Sequence, residues 1–133
     1  MEPYVDVSEQ LVVEIYVRDL ERALELYLAL GFLLARRDIG FAELAWENSR
    51  LMLAAVRGLP EPAPVPRCSL RVMVPDVDRY VRRCGELGLL LSQPIGDRDY
   101  GLRDFTVVTP DGIALRFASR LSAAPALDTP GQP

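Results

Sequence analysis

The side chains that could do chemistry in this 133-residue chain are carboxylates, arginines and hydroxyls, because the sequence contains no histidine. Without imidazole, histidine acid–base catalysis, Ser-His or Cys-His nucleophiles and imidazole metal ligands are excluded. One charged residue stands out: Arg116 follows a Pro-Asp-Gly turn in the stretch PDGIALRFAS, among small and apolar neighbours. A guanidinium there can hold a ligand carboxylate or close a partly buried ion-pair network.

The residues around these groups form a pattern that occurs twice. In residues 11–34, an alternating apolar strand leads to a helix N-cap at Asp19, an apolar helical stripe and a terminating Gly31. Residues 68–91 show the same pattern 57 positions later, with Asp76 as the cap and Gly88 as the end. The helical stripes are Leu20, Ala23, Leu24, Tyr27 and Leu30 in the first copy and Val77, Tyr80, Val81, Cys84 and Leu87 in the second. This match predicts an internal repeat.

Three strand-like segments follow each helix, so each copy reads as a βαβββ module. We predict an N-terminal lead-in (1–10), a first module (11–56), a proline-rich stiff linker (57–67), a second module (68–119) and a disordered tail (120–133). The predicted fold class is α+β, one structural domain in which the two repeats form a cupped eight-stranded mixed sheet with the helices on its outer face.

Strand alternation predicts which side chains face the cup. On the first strands of the two modules they are Val12, Glu14 and Tyr16, and Ser69, Arg71 and Met73. On the later strands they are Phe41, Glu43 and Ala45; Leu51, Leu53 and Ala55; and Ala114, Arg116 and Ala118. This surface is mostly apolar with a few charges of both signs, as small-molecule sites tend to be. Glu14, Arg71 and Arg116 could instead form an ion-pair network that closes the centre of the sheet.

Bulk composition excludes several classes of function. The net charge of −4 argues against nucleic-acid binding, and no apolar run suggests a membrane span. The acidic N-terminus lacks the features of a signal peptide, so we expect a cytoplasmic protein. Cys68 and Cys84 are too few for a disulfide framework, and Cys84 falls on a predicted apolar stripe.

These patterns together resemble the glyoxalase/bleomycin resistance protein/dioxygenase superfamily, also called the vicinal-oxygen-chelate fold. The residues that carry the resemblance are VEIYVRDLERALELYLALGF, RVMVPDVDRYVRRCGELG and FTVVTPDGIALRF, supported by the hairpin segment GFAELAWENSRLMLAAV. The resemblance covers roughly residues 9–119 and is nearest to the metal-free, bleomycin-resistance-like branch.

The resemblance also implies where a metal would bind in this fold. Metal enzymes of the superfamily place one ligand on the first and last strand of each module, usually His, Gln or Glu. Carried onto this chain, those positions are Val12, Leu53, Ser69 and Arg116. Valine and leucine cannot bind a metal, serine is a poor ligand and a guanidinium repels a cation. We therefore expect no metal site, no cofactor and no catalytic residue, and the resemblance implies a homodimer.

The leading hypothesis is a metal-independent protein that sequesters a small molecule, an antibiotic being one candidate, in a cavity of a homodimer. The ligand would be cationic or aromatic. The predicted binding residues are Glu14, Tyr16, Phe41, Glu43, Trp46, Arg71, Tyr100 and Arg116. Trp46 could equally pack under a helix, and Tyr100 lies on a longer loop that could rim the cavity.

Two alternatives stay open. One is an enzyme of the same superfamily (a lyase, isomerase or dioxygenase) with an atypical or metal-free site, in which Glu14 or Glu43 acts as a base and Arg71 or Arg116 holds a substrate carboxylate. The other is a non-enzymatic module whose apolar cup serves protein association.

Overall fold

The computed structural model describes residues 2–121, which form two compact units divided between Glu61 and Pro62. The division falls within the predicted linker. The N-terminal unit contains α1 (Val7–Gln10), β1 (Val13–Val17), α2 (Leu20–Leu30), β2 (Leu33–Asp38), β3 (Phe41–Trp46) and β4 (Ser49–Ala55). The C-terminal unit contains β5 (Ser69–Met73), α3 (Val77–Glu86), β6 (Leu90–Asp97), β7 (Leu102–Val108) and β8 (Ala114–Arg120).

Each unit has the predicted βαβββ order and holds a four-stranded mixed sheet, which confirms the fold class. The strand order is β1-β4-β3-β2 in the first sheet and β5-β8-β7-β6 in the second. In each, the first strand pairs in parallel with the last, and the other pairs are antiparallel. A parallel pair needs a long crossover connection, and α2 or α3 supplies part of it.

Helix α2 forms where its sequence predicts it. The Asp19 carboxylate accepts a hydrogen bond from the Arg22 backbone N–H, and Gly31 ends the helix with a φ of +125°. The predicted apolar stripe is buried along its whole length. It covers one face of the first sheet, whose buried side chains are Ile15, Val17, Ala42, Leu44, Leu51 and Leu53.

Helix α3 repeats this arrangement with a shallower stripe. Val77 and Cys84 are buried, whereas Leu87 at the helix end is 39% exposed. The hydroxyl of Ser119 on β8 accepts a hydrogen bond from the Val77 N–H and donates one to the Val74 carbonyl, which ties the helix start to the sheet. Burial raises the pKa of the Cys84 thiol to about 11, consistent with an inert packing role.

The predicted orientation of β4 is wrong. Leu51 and Leu53 pair with Val13 and Ile15 of β1 and are buried on the face covered by α2. Adjacent partners in a sheet point to the same side, so Met52 and Ala54 occupy the opposite face, where we had expected the leucines.

At both ends of the described chain, the secondary structure differs slightly from the predicted lead-in and tail. The N-terminal lead-in contains the short helix α1, and β8 continues through Arg120, one residue into the predicted tail. Residues 122–133 of that tail lie outside the described part of the chain. Within residues 2–121, no helix has the length and apolar character needed to cross a membrane.

Candidate functional site

Four of the predicted binding residues lie together on the face of the first sheet opposite α2. Backbone pairing places Glu14, Met52, Glu43 and Arg36 in a line across β1, β4, β3 and β2, which we call the first row. Tyr16 and Phe41 flank Ala54 in the neighbouring line. The side chain of Tyr16 is 56% exposed, so this face presents an aromatic ring to solvent.

The two carboxylates of the first row have different surroundings. Glu43 lies 3.4 Å from the Nε of Arg36 and 3.7 Å from the Nε of Arg50, so two guanidiniums balance its charge. The Arg36 guanidinium also lies 4.9 Å from the centre of the Phe41 ring. The side chain of Glu14 is exposed and forms no ion pair or hydrogen bond with any residue between 2 and 121. Glu14 is therefore the carboxylate that is available to a ligand cation.

Trp46 lies on the other face of the same sheet. Its ring meets Phe32 edge-on at a centroid distance of 4.9 Å, and it covers Gly31 at the end of α2. Of the two interpretations that the sequence allows for Trp46, this position supports packing under the helix. The structure does not bring Trp46 together with Glu14, Tyr16, Phe41 and Glu43.

The C-terminal sheet carries a corresponding line of polar side chains on the face opposite α3. Arg71, Arg116, Thr106 and Gln93 are successive partners across β5, β8, β7 and β6, and we call them the second row. On the helix side, the aromatic rings of Phe105 and Phe117 stack, and Tyr80 of α3 packs on Phe117. The predicted orientation of β5 and β8 is confirmed, and it places Arg71 and Arg116 side by side.

A buried carboxylate next to the second row was not predicted from the sequence. Asp104 is 0% exposed; its carboxylate accepts hydrogen bonds from the Nε of Arg98 and the hydroxyl of Tyr100, both at 2.7 Å. The Nε of Arg116 lies 3.9 Å from the same group. Burial alone would raise the pKa of Asp104, but the hydrogen bonds from Arg98 and Tyr100 outweigh it and hold that pKa below its usual value. The signal in the sequence is an aspartate in β7 on the strand face that it shares with Leu102, Thr106 and Val108.

Tyr100 and Arg116, two of the predicted binding residues, are both part of the Asp104 cluster. The hydrogen bond to Asp104 raises the pKa of Tyr100, so its hydroxyl stays protonated and donates. The Arg116 guanidinium lies 5.9 Å from the centre of the Tyr100 ring. The buried Nε of Arg116 has no hydrogen-bond acceptor among the described residues. Asp104 and Tyr100 therefore position Arg116 but leave its Nε–H without a hydrogen-bond acceptor among the described residues.

The residues at the family's metal positions do not suit a metal ion. With β4 correctly oriented, Met52 takes the place assigned to Leu53, so the two units contribute Val12 and Met52, and Ser69 and Arg116. A thioether and a hydroxyl are weak ligands, and a guanidinium repels a cation. Within residues 2–121, no three His, Cys, Asp or Glu side chains are placed to hold a metal.

The sequence of both units matches the profile of one known protein family. A sequence profile of the Glyoxalase/Bleomycin resistance protein/Dioxygenase superfamily matches residues 10–117. The chain belongs to this superfamily. A comparison with curated proteins finds no match to the chain.

The chain also resembles several solved structures. TioX from Micromonospora sp. ML1 is 28% identical, with a TM-score of 0.69 over 84% of this chain and 98% of that one. A bleomycin-binding protein in complex with bleomycin is 22% identical, with a TM-score of 0.65 over 85% and 99%. The fosfomycin resistance protein FosX from Mesorhizobium loti is 17% identical, with a TM-score of 0.69 over 88% and 96%. The last two identities establish a shared fold alone.

Proposed function

We propose that this protein is a small-molecule binder that captures its ligand without a metal ion, as a homodimer. The observation that carries the proposal is the face of the first sheet opposite α2. It combines the carboxylate of Glu14, which has no ion-pair partner among residues 2–121, with the exposed ring of Tyr16 and the ring of Phe41 on one sheet face. Apolar and aromatic walls with a few oriented charges are the usual composition of a ligand site.

The proposed ligand is cationic, aromatic or both. Glu14 would pair with a cationic group, and the rings of Tyr16 and Phe41 would pack against a planar one. A structural relative is a bleomycin-binding protein, which makes bleomycin the first compound to test. Capture rather than catalysis is supported by the donor set at the metal positions and by the absence of histidine from the sequence.

The test is isothermal titration calorimetry with bleomycin and a panel of cationic and planar aromatic antibiotics, with and without EDTA. Calorimetry is preferable to tryptophan quenching because Trp46 lies on the opposite face of the sheet. We expect saturable binding that EDTA does not change. Loss of one charge-assisted contact in Glu14→Gln should weaken binding roughly tenfold.

The matched control is Glu25→Gln, since Glu25 is an exposed glutamate on α2 and thus lies on the helix side of the same sheet. This variant should bind like the parent protein. Binding that disappears with EDTA, or stoichiometric zinc, nickel or iron that survives dialysis, would contradict the metal-independent part of the proposal. No saturable heat with any compound of the panel would contradict the proposed ligand class.

A further inference from the structure

The second row places two arginines next to each other without an adequate counter-charge. Arg71 and Arg116 are direct partners in parallel strands, so their backbones are about 4.8 Å apart and their side chains leave the same face. Like charges directly opposite each other in a sheet destabilise it. A negatively charged group bound between the two side chains would relieve this repulsion.

The charges around the pair leave it positive. Asp104 is the nearby carboxylate, and its hydrogen bonds come from Arg98 and Tyr100 rather than from Arg116. Arg71 is exposed and forms no ion pair within residues 2–121. The acidic residues Asp78 and Asp97 pair with Arg103, whose place in β7 directs it to the α3 side. Arg98 and Arg116 therefore share one buried carboxylate, and Arg71 beside them has no ion-pair partner among residues 2–121.

The neighbours of the two arginines add donors and no further charge. Thr106 and Gln93 complete the line across β7 and β6 with a hydroxyl and an amide. Each member of the row thus carries at least one N–H or O–H donor. The fork of an arginine matches the two oxygens of a carboxylate or phosphate, and Arg116 is held in place by Asp104 and Tyr100.

We infer that the second row, Arg71, Arg116, Thr106 and Gln93, binds an oxyanion group of the ligand, either a carboxylate or a phosphate. The inference deepens the proposed function and rests on it, because it assigns the oxyanion to the small molecule that the protein captures. The first row of the N-terminal sheet carries Glu14, Met52 and Glu43 at the three corresponding places. The two sheets therefore carry side chains of opposite charge at equivalent places.

The test uses inorganic phosphate and acetate as separate probes, each added at constant ionic strength against sodium chloride. The readout is the NMR signal of the arginine side-chain Nε–H groups in nitrogen-labelled protein. We expect saturable shifts at Arg71 and Arg116, and roughly tenfold weaker binding in Arg71→Gln. The stronger of the two probes identifies the oxyanion.

The control is Arg82→Gln, because Arg82 is an exposed arginine of α3 on the other side of the sheet. This variant should bind both probes like the parent protein. Arg116→Lys keeps a charge beside Asp104 and so protects folding, and it should also weaken binding because it removes the fork. Shifts that do not saturate, that appear equally at Arg82, or that saturate with unchanged affinity in Arg71→Gln would overturn the inference.

The two proposals can fail separately. Saturable capture of an antibiotic with unchanged affinity in Arg71→Gln and Arg116→Lys would leave the proposed function standing and overturn the oxyanion site. Saturable phosphate or acetate binding at the second row, without capture of any compound in the antibiotic panel, would support the oxyanion site and contradict the proposed cationic or aromatic ligand class.

Discussion

Asp104 keeps a negative charge in a position that solvent does not reach. A buried carboxylate is tolerated only when charged or polar partners replace its hydration. Arg98 and Tyr100 do so directly, and Arg116 contributes from 3.9 Å. The same contacts position Arg116, so Asp104 links the stability of the C-terminal unit to its proposed binding surface.

We expect Asp104→Asn to lower the free energy of unfolding at pH 7 by about 2 kcal/mol, because it leaves Arg98 without its charged partner. The stability that comes from a carboxyl with a lowered pKa is present above the ordinary value of 3.8 and is lost as the pH falls through the lower folded value. The difference between the two proteins should therefore shrink below pH 3.8. Urea unfolding at a series of pH values measures it.

Asp99→Asn is the matched control, because Asp99 is an exposed carboxyl in the connection between β6 and β7, which also carries Arg98 and Tyr100. It should unfold like the parent protein at neutral pH. A stability difference for Asp104→Asn that is equally large at pH 7 and pH 2 would show that the charge of Asp104 is not what the network stabilises.

At the scale of elements, the end of α2 depends on one glycine. Gly31 has a φ of +125°, and a Cβ at this position would lie 3.0 Å from the Trp46 ring. Both the backbone angle and the ring exclude a side chain. The close approach explains why the helix can end directly against β3, with the Trp46 ring over the helix end.

We expect Gly31→Ala to destabilise the protein by about 2 kcal/mol, through a strained backbone and displacement of Trp46. Gly85 in α3 provides the comparison, because it has an ordinary φ and a Cβ added there would meet no atom within 4 Å. Gly85→Ala should stabilise by up to about 1 kcal/mol, since alanine favours the helix. Chemical denaturation measures both, and equal effects of the two substitutions would refute the argument.

The elements could be predicted from the sequence where capping and periodicity agree. Asp19, Gly31 and the stripe between them define α2, and the copy 57 residues later defines α3. The orientation of β4 could not be predicted, because Met52 and Ala54 are as apolar as Leu51 and Leu53, so alternation does not distinguish the faces. A shift of one residue turns every side chain to the other face.

In the candidate site, too, some positions could be predicted from the sequence and others could not. The strand face of Glu14, Tyr16, Arg71 and Arg116 follows from alternation, and in the structure all four lie on the sheet face opposite the helix of their unit. The Asp104 cluster joins a loop residue, Tyr100, to neighbouring strands through side-chain hydrogen bonds. Those contacts depend on the path of the loop, which local sequence does not determine.

At the scale of the whole molecule, the repeat provides two sheets of the same topology with different chemistry. Glu14 pairs with Met52 in the first, and Arg71 pairs with Arg116 at the equivalent place in the second. The edge strands β2 and β6 have also kept a common feature. Each exposes two consecutive leucines, Leu33 and Leu34 in β2 and Leu90 and Leu91 in β6.

An edge strand with exposed leucines is prone to association, and a second copy of the chain is the partner that the proposed homodimer supplies. Light scattering after size-exclusion chromatography should give twice the 14.8 kDa of one chain. The double variant Leu33→Lys with Leu90→Lys should shift the mass toward one chain, because burying two ammonium groups at an interface is costly. Leu28→Lys, at an exposed position of α2, should leave the dimer intact. A parent protein with the mass of a single chain at the concentrations used for ligand binding would contradict the homodimer, and capture would then have to occur on one chain alone.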